Sequence, residues 1–284
     1  MKKRNDATLV TDVSGIMKIF PYIMKRRSDS LVYHRIAADM HNAIQFVRNY
    51  NRDKSEEEKM RVFDLIIAAL GKLMVIRPKL NRFIANYETW QRNNISLTFV
   101  VKEALTEEAP ERTITVNIEP EMNMENVIKT TSKLINEAKT AGFDEGSTKI
   151  INKYMKLPKF LIKLAVSFFS FLDKHGCLPA SIREFDGMHA SAILANLGSI
   201  RLLNAPFHHL YEWGTTSMFL AIGSLYKGEL PNQRRQITDI VEFGFTVDER
   251  IVDGFYTIQC LNLFQKLLKN PELLLEKFST PVNL

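Results

Sequence analysis

Apolar residues at Val62, Leu65, Ile66, Ala69, Leu70, Leu73 and Met74 recur at helical spacing between an acidic run at 54–59 and Pro78. The pattern predicts a helix that begins in the acidic run and stops at the proline. Residues 30–40 are β-branched and aromatic in rough alternation, and the helical pattern of 41–51 follows, which predicts a strand leading into a helix. Segments 94–105 and 112–120, the second with Ile114, Val116 and Ile118 alternating with polar residues, predict a hairpin. From Asn123, a suitable N-cap, Met124, Val127, Ile128, Leu134, Ile135 and Ala138 share one helical face that ends near Gly142. Strand-like stretches return at 190–200, 217–228 and 234–248, and an amphipathic helix broken at Pro271 closes the chain.

The order of elements is α+β, without strict strand–helix–strand alternation. No repeat, low-complexity tract or Gly/Ser-rich linker divides the 284 residues. The expectation is a single domain over 21–284 behind an N-terminal tail of residues 1–20. An apolar helical insertion around 145–185 enlarges it. Its most apolar part, 158–174, carries Lys159 and Lys163 and has only nine uncharged residues between Lys163 and Asp173. That is far short of the roughly 20 apolar residues of a membrane span. It is expected to pack against protein, covering a subunit interface or capping a tunnel, in preference to lying on a membrane surface.

Composition changes this picture little. The net charge of +6, from 38 basic and 32 acidic residues, sits in short clusters too diffuse for a nucleic-acid groove. Two cysteines, Cys177 and Cys260, form no CxxC pair, and no Cys/His spacing suggests a metal site. The basic start is followed by Asn5, Asp6 and Asp12 instead of an apolar core, so it is not read as a signal peptide and the expected location is cytoplasmic.

Four motifs, in order, carry a resemblance. The run Asp248, Glu249, Arg250, Asp253, Gly254 between a strand and a helix is similar to the D-H-R-x-x-D-G signature of dihydrolipoamide acyltransferase catalytic domains of 2-oxo acid dehydrogenase complexes. Residues 77–84, RPKLNRFI, resemble the stretch after that family's first long helix. Residues 193–200, ILANLGSI, resemble its T-x-S-N-L-G strand, and 217–228 its following A-I-L-x-x-G strand. The resemblance covers about residues 20–272. It implies the chloramphenicol acetyltransferase-like fold, a two-layer α/β sandwich with a mixed sheet covered by helices. It also implies a homotrimer with active sites between subunits, coenzyme A or an acyl-CoA entering from one side and a lipoyl-type acceptor from the other. A lipoyl arm would have to come from another chain. No covalently bound cofactor is implied.

In that family the D-H-R histidine takes the thiol proton as general base, and a hydroxyl from the T-x-S-N-L-G strand of the neighbouring subunit stabilises the tetrahedral oxyanion. Here Glu249 stands at the histidine's position and Ala195, aligned through Asn196, Leu197 and Gly198, at the serine's. A general base contributes roughly 10²- to 10⁴-fold and one oxyanion donor roughly 10²- to 10³-fold, so their joint replacement predicts impaired or altered chemistry. Glu249 either serves as a base after burial raises its pKa from about 4.3, or pairs with a nearby cation such as Arg250. The resemblance gives Asp253 a structural role, holding its loop through Arg26 or Arg27, with Gly254 opening the last helix. His208 and His209 lie in an expanded loop and are either a relocated base or loop packing, pointing to opposite sides of an extended backbone. Ser199 is either a displaced hydroxyl or a local hydrogen-bonding residue. Two function classes therefore stand: an acyltransferase with a rebuilt site, and a non-catalytic CoA-binding or assembly subunit.

Overall fold

A computed structural model of the chain describes residues 4–56, 58–104, 106–140, 155–184, 187–230 and 236–282. Strand β1 (Ala7–Leu9) and helix α1 (Gly15–Ile23) precede β2 (Leu31–Asp39), α2 (His41–Tyr50) and α3 (Val62–Ile76). Then come β3 (Arg82–Ala85), β4 (Glu88–Arg92), β5 (Ile95–Lys102), β6 (Glu111–Ile118) and α4 (Met124–Thr140). The chain continues through α5 (Lys159–Lys174), α6 (Ala180–Arg183), β7 (Ala192–Asn196), β8 (Met218–Ile222), β9 (Tyr226–Glu229), β10 (Ile237–Asp248) and α7 (Gly254–Lys269).

The large sheet runs β2-β10-β8-β7-β5-β6, with β9 added on β10. It is mixed: β5 with β7 and β7 with β8 are parallel, and the other pairs antiparallel. A parallel pair needs a crossover between its strands. For β7 to β8 that crossover is the chain from 197 to 217, and its path over the sheet shapes the site below.

Alternation in each strand sends one set of side chains into a single core against α2, α3, α4 and α7. Leu97, Phe99, Val116, Leu194, Leu220, Phe243 and Phe245 meet Leu65, Leu70, Leu73, Leu263 and Phe264 there. The Phe264 ring stands edge-on to Phe243 and Phe245, with centroids 5.3 and 5.4 Å away, the favourable quadrupole arrangement. Helix α3 is buried almost all round, including Lys72. That ammonium is kept because Nζ donates to the carbonyls of Leu273 at 2.7 Å and Lys277 at 3.1 Å, tying down the turn after α7.

Two expectations are corrected. Helix α3 starts at Val62 and not in the acidic run, because Arg61 is extended and its backbone N–H donates to the Asp64 carboxylate at 2.8 Å, an N-terminal cap in all but residue type. The stretch expected as an N-terminal tail is built into the fold: β1 pairs with β4 in a small sheet β1-β4-β3, and Arg4 is buried, its guanidinium 4.9 Å from the Phe83 ring centroid. Helix α5 leaves most of its apolar residues exposed in the single chain, with only Asp173 buried. The insertion's part between 141 and 154 lies outside the described residues. Among the described residues no helix is long and apolar enough to cross a membrane.

Candidate active site

The last strand, β10, runs straight into the acidic motif. Asp248 and Arg250 are both buried and form a two-point ion pair: Arg250 Nε donates to Asp248 Oδ1 at 2.8 Å and Nη2 to Oδ2 at 2.6 Å, with the Arg250 backbone N–H on Oδ1 at 3.1 Å. Arg250 Nη1 also donates to the Met24 carbonyl at 2.9 Å, linking the motif to the end of α1. Asp253 is the N-cap of α7, its carboxylate accepting from the Tyr256 backbone N–H at 2.8 Å in extended backbone geometry, and Gly254 is the first helical residue.

This geometry replaces two expected pairings. Arg250 is occupied by Asp248 and does not hold Glu249. Asp253 is a helix cap and does not meet Arg26 or Arg27. Arg27 is buried and donates to the carbonyls of Tyr211 and Gly214, each at 2.5 Å, so the N-terminal arginine holds the loop before β8 instead of the loop after β10. Glu249 sits between the ion pair's two members, half-buried, with its backbone N–H on the Ser30 carbonyl at 2.9 Å. Among the described residues its carboxylate has no hydrogen-bond or ion-pair partner.

Ala195 follows the core residue Leu194 on β7, so its methyl is on the sheet face away from the helices. In register it pairs with Ala221 of β8, which pairs with Gly244 of β10. Glu249 is five positions beyond Gly244. At about 3.3 Å per residue and two strand spacings of about 4.8 Å, Ala195 and Glu249 are roughly 19 Å apart in one chain. The single chain does not bring them together. Asn196, at the end of β7, is exposed, and its carbonyl accepts from Ser199 Oγ at 2.7 Å, which makes Ser199 a local hydrogen-bonding residue.

The crossover after β7 folds back over the outer sheet face. At Gly244 a Cβ would lie 2.5 Å from the Pro206 carbonyl oxygen, and at Gly223 one would lie 2.3 Å from that of Leu203, so both glycines admit the crossover backbone. Arg35 Nη2 donates to the Ala205 carbonyl at 3.3 Å, and its guanidinium lies 5.1 Å from the Phe207 ring centroid. His208 lies flat on Phe219 of β8, with centroids 4.1 Å apart and an interplanar angle of 11°. Its Nδ1 is 2.7 Å from the His209 carbonyl oxygen. A carbonyl only accepts, so Nδ1 carries the proton and the neutral ring's lone pair is on Nε2. The two histidines do not point to opposite sides as an extended backbone would require: their rings stack at 4.7 Å. Phe219 pairs in register with Ile193, two residues before Ala195, and with Thr246. Thr246, which no sequence signal singles out, is fully buried with no partner for its hydroxyl among the described residues.

Besides a cavity of about 460 Å³ at His209, Tyr211 and Arg26, two more flank these elements. A polar cleft of about 390 Å³ at the β5–β6 end is lined by Arg92, Ser96, Thr98, Thr115, Asn117 and His189 among others. A second, of about 310 Å³, lies between α1 and α5 and is lined by Lys25, Arg27, Tyr87, Asp173, Lys174 and Arg250. Neither is lined by Glu249 or Ala195. Asp173 joins the two: it accepts from Arg4 Nη2 at 2.9 Å and lies 3.4 Å from His189 Nε2. Burial alone would push its carboxyl up, but the hydrogen bond and charge of His189, with Arg4 beside it, hold it below the usual value. Among the described residues no group of three His, Cys, Asp or Glu side chains could hold a metal ion.

No family model matches the sequence, and no curated protein matches it. Solved structures do match along nearly the whole chain. A probable dihydrolipoamide acetyltransferase from Listeria monocytogenes 4b F2365 is 13% identical over 97% of this chain and 99% of its own, with a TM-score of 0.58. The cubic core of a pyruvate dehydrogenase multienzyme complex is 13% identical over 94% of each chain, at 0.60. Chloramphenicol acetyltransferase is 9% identical over 93% of this chain and 98% of its own, at 0.54. The α+β chain, with its mixed sheet under one layer of helices, has the fold shared by dihydrolipoamide acetyltransferase cores and chloramphenicol acetyltransferase.

Proposed function

We propose that the chain is an acyltransferase-fold protein that keeps the frame for coenzyme A or an acyl-CoA while its lipoyl-transfer chemistry is lost or replaced. The observation that carries this is the motif after β10. Its ion pair, Asp248 with Arg250, and its helix cap, Asp253, are formed, while the position between them holds the carboxylate of Glu249. The family's base at this position is an imidazole, and Glu249 presents a half-buried carboxylate in its place. Ala195 offers no hydroxyl to an oxyanion. In a solved relative, the dihydrolipoamide acetyltransferase of Azotobacter vinelandii, a serine, a histidine and an asparagine have roles in the catalytic mechanism.

The separation of roughly 19 Å between Ala195 and Glu249 supports a site completed by a second copy, in a homotrimer. So does cavity size: about 310 Å³ beside Arg250 is at the small end even for a drug-sized ligand, and coenzyme A would need another copy's wall. Lys25 and Lys174 on that cavity could meet its phosphates. The acyl acceptor, of lipoyl type, would be supplied by another chain. The test is thermal stability with coenzyme A and acetyl-CoA at a hundredfold excess over Kd. Binding to the fold adds about 2.7 kcal/mol, or about 5–10 °C for a chain of this size. No shift at millimolar ligand overturns the retained frame.

A second reading has its own observation. His208 presents a free Nε2 above Phe219, next to the strand of Ala195, so a base relocated to the crossover would work from there. Under it, turnover of an acyl-CoA would be abolished by His208→Gln and untouched by Glu249→Gln.

A further inference from the structure

We propose that the exposed stripe of α5 is a membrane-interface surface that rests on a phospholipid leaflet of net negative charge, with α1 as a second apolar and cationic helix at the same cavity. The geometry of α5 starts the argument. Its large apolar residues Phe160, Leu164, Phe168 and Phe171, spaced four, four and three apart, form a stripe along one side of the helix. They are 68%, 64%, 55% and 57% exposed. The side turned to the protein is a different one, anchored by buried Asp173 on Arg4 and His189. The stripe runs the length of a 16-residue helix, about 24 Å at 1.5 Å per residue. At about 200 Å² per aromatic side chain, these four residues alone expose several hundred Å², as much as the largest patch of a typical monomer.

Helix α1 repeats the pattern. Ile16, Ile19, Tyr22 and Ile23 are all more than half exposed. Both helices border the same cavity, α1 through Pro21 and α5 through Ser170, Asp173 and Lys174.

Charge selects the occupant. Exposed Lys159, Lys163 and Lys174 flank the α5 stripe, and exposed Lys18, Lys25 and Arg26 accompany α1. Asp173, the one acidic residue of α5, is buried, and residues 15–27 contain none. With 32 acidic residues in 284, about one in nine, these two stretches would carry about three on average. A leaflet of anionic phospholipid offers apolar chains below and negative headgroups above, which matches an apolar stripe whose helix carries exposed lysines and no exposed acid. The lysines that keep 159–174 from spanning a bilayer thus suit it to lie on one.

The experiment is flotation of the full chain with vesicles of phosphatidylcholine alone and of an equimolar mixture with phosphatidylglycerol, with light scattering of the free protein in parallel. Wild type is expected to float with the mixed vesicles and to be released by salt. Leu164→Glu with Phe168→Glu should lower binding at least tenfold at an unchanged melting midpoint. Lys159→Glu with Lys163→Glu should lower it on the order of 10²-fold, since each lysine near an anionic surface contributes about fivefold. If either variant fails to fold, the other and the salt titration decide. The proposal is overturned if wild type floats with neither vesicle, if the stripe variant floats as wild type does, or if that variant breaks up an oligomer of a protein that does not bind vesicles, which would assign the face to a second copy.

Discussion

Removing the Asp248 carboxylate should test whether the frame around Glu249 is built as described. Asp248 is 0% and Arg250 4% exposed, and three of the arginine's N–H groups end on that carboxylate. Truncating one member of a buried pair leaves the other charge uncompensated and costs about 3–5 kcal/mol. Arg250 keeps the Met24 carbonyl, so Asp248→Ala should fall at the lower end, about 3 kcal/mol, a large part of a usual total of about 5–15 kcal/mol. Asp248→Leu combined with Arg250→Met removes both charges and should recover most of the loss, because apolar replacement of a buried ion pair is often close to neutral. Urea denaturation of the wild type, both single variants and the double variant reads this as midpoint shifts at constant slope. A loss under about 1 kcal/mol for Asp248→Ala, or a double variant as destabilised as the sum of the singles, would refute the reasoning.

Lys72→Met should cost about 1–3 kcal/mol at neutral pH, because the carbonyls of Leu273 and Lys277 lose their donor. Burial lowers the Lys72 pKa below its ordinary 10.5, with Glu276 partly opposing, so the unfolded chain binds more protons between the folded value and 10.5. Wild type should therefore gain stability relative to Lys72→Met as pH rises through that window, and a difference independent of pH contradicts it. Asp173, held below its ordinary 3.8, contributes stability that is present above that value and lost as pH falls through its folded pKa. Acid titration of Asp173→Asn should accordingly show the wild-type advantage shrinking below about pH 3.8, and an advantage that persists there counts against the His189–Asp173–Arg4 cluster. Gly244→Ala, whose Cβ would lie 2.5 Å from the Pro206 oxygen, should cost about 1–3 kcal/mol and make 201–214 more open to limited proteolysis; unchanged stability and cleavage would mean the crossover does not press on the sheet.

Much of the large sheet and its helices was legible in the sequence, because their periodicities are those of one buried face. The alternation of Ile114, Val116 and Ile118 and the α4 face from Met124 are examples. The small sheet was not legible. Strands β1, β3 and β4 are three to five residues long, and what stabilises them is non-local: Arg4 on Phe83, and Trp90 packed with Ala7. In the site, the motif after β10 was visible as residue types, but its pairings were not. Asp248 with Arg250 in place of Glu249 with Arg250 depends on which side of a strand end each residue faces, and Arg27's capture of the crossover joins residues 184 apart in sequence. Thr246 carries no sequence signal because a threonine is ordinary in a strand, and its full burial is a property of the fold. The apolar run 158–174 forms a helix as its periodicity predicts, but periodicity shows which residues share a side and not what that side meets.

The central claim, that Glu249 and Ala195 mark loss or replacement of lipoyl transfer and not a conservative exchange of bases, is tested most directly by kinetics with acetyl-CoA and dihydrolipoamide. The proteins to compare are wild type, Glu249→His, Ala195→Ser, the double variant and Glu249→Ala. Wild type is predicted to turn over far below an ordinary enzyme's roughly 1–10³ per second, with Glu249→Ala no slower and the double variant faster than wild type. Wild-type turnover within that range, abolished by Glu249→Ala, would contradict the account.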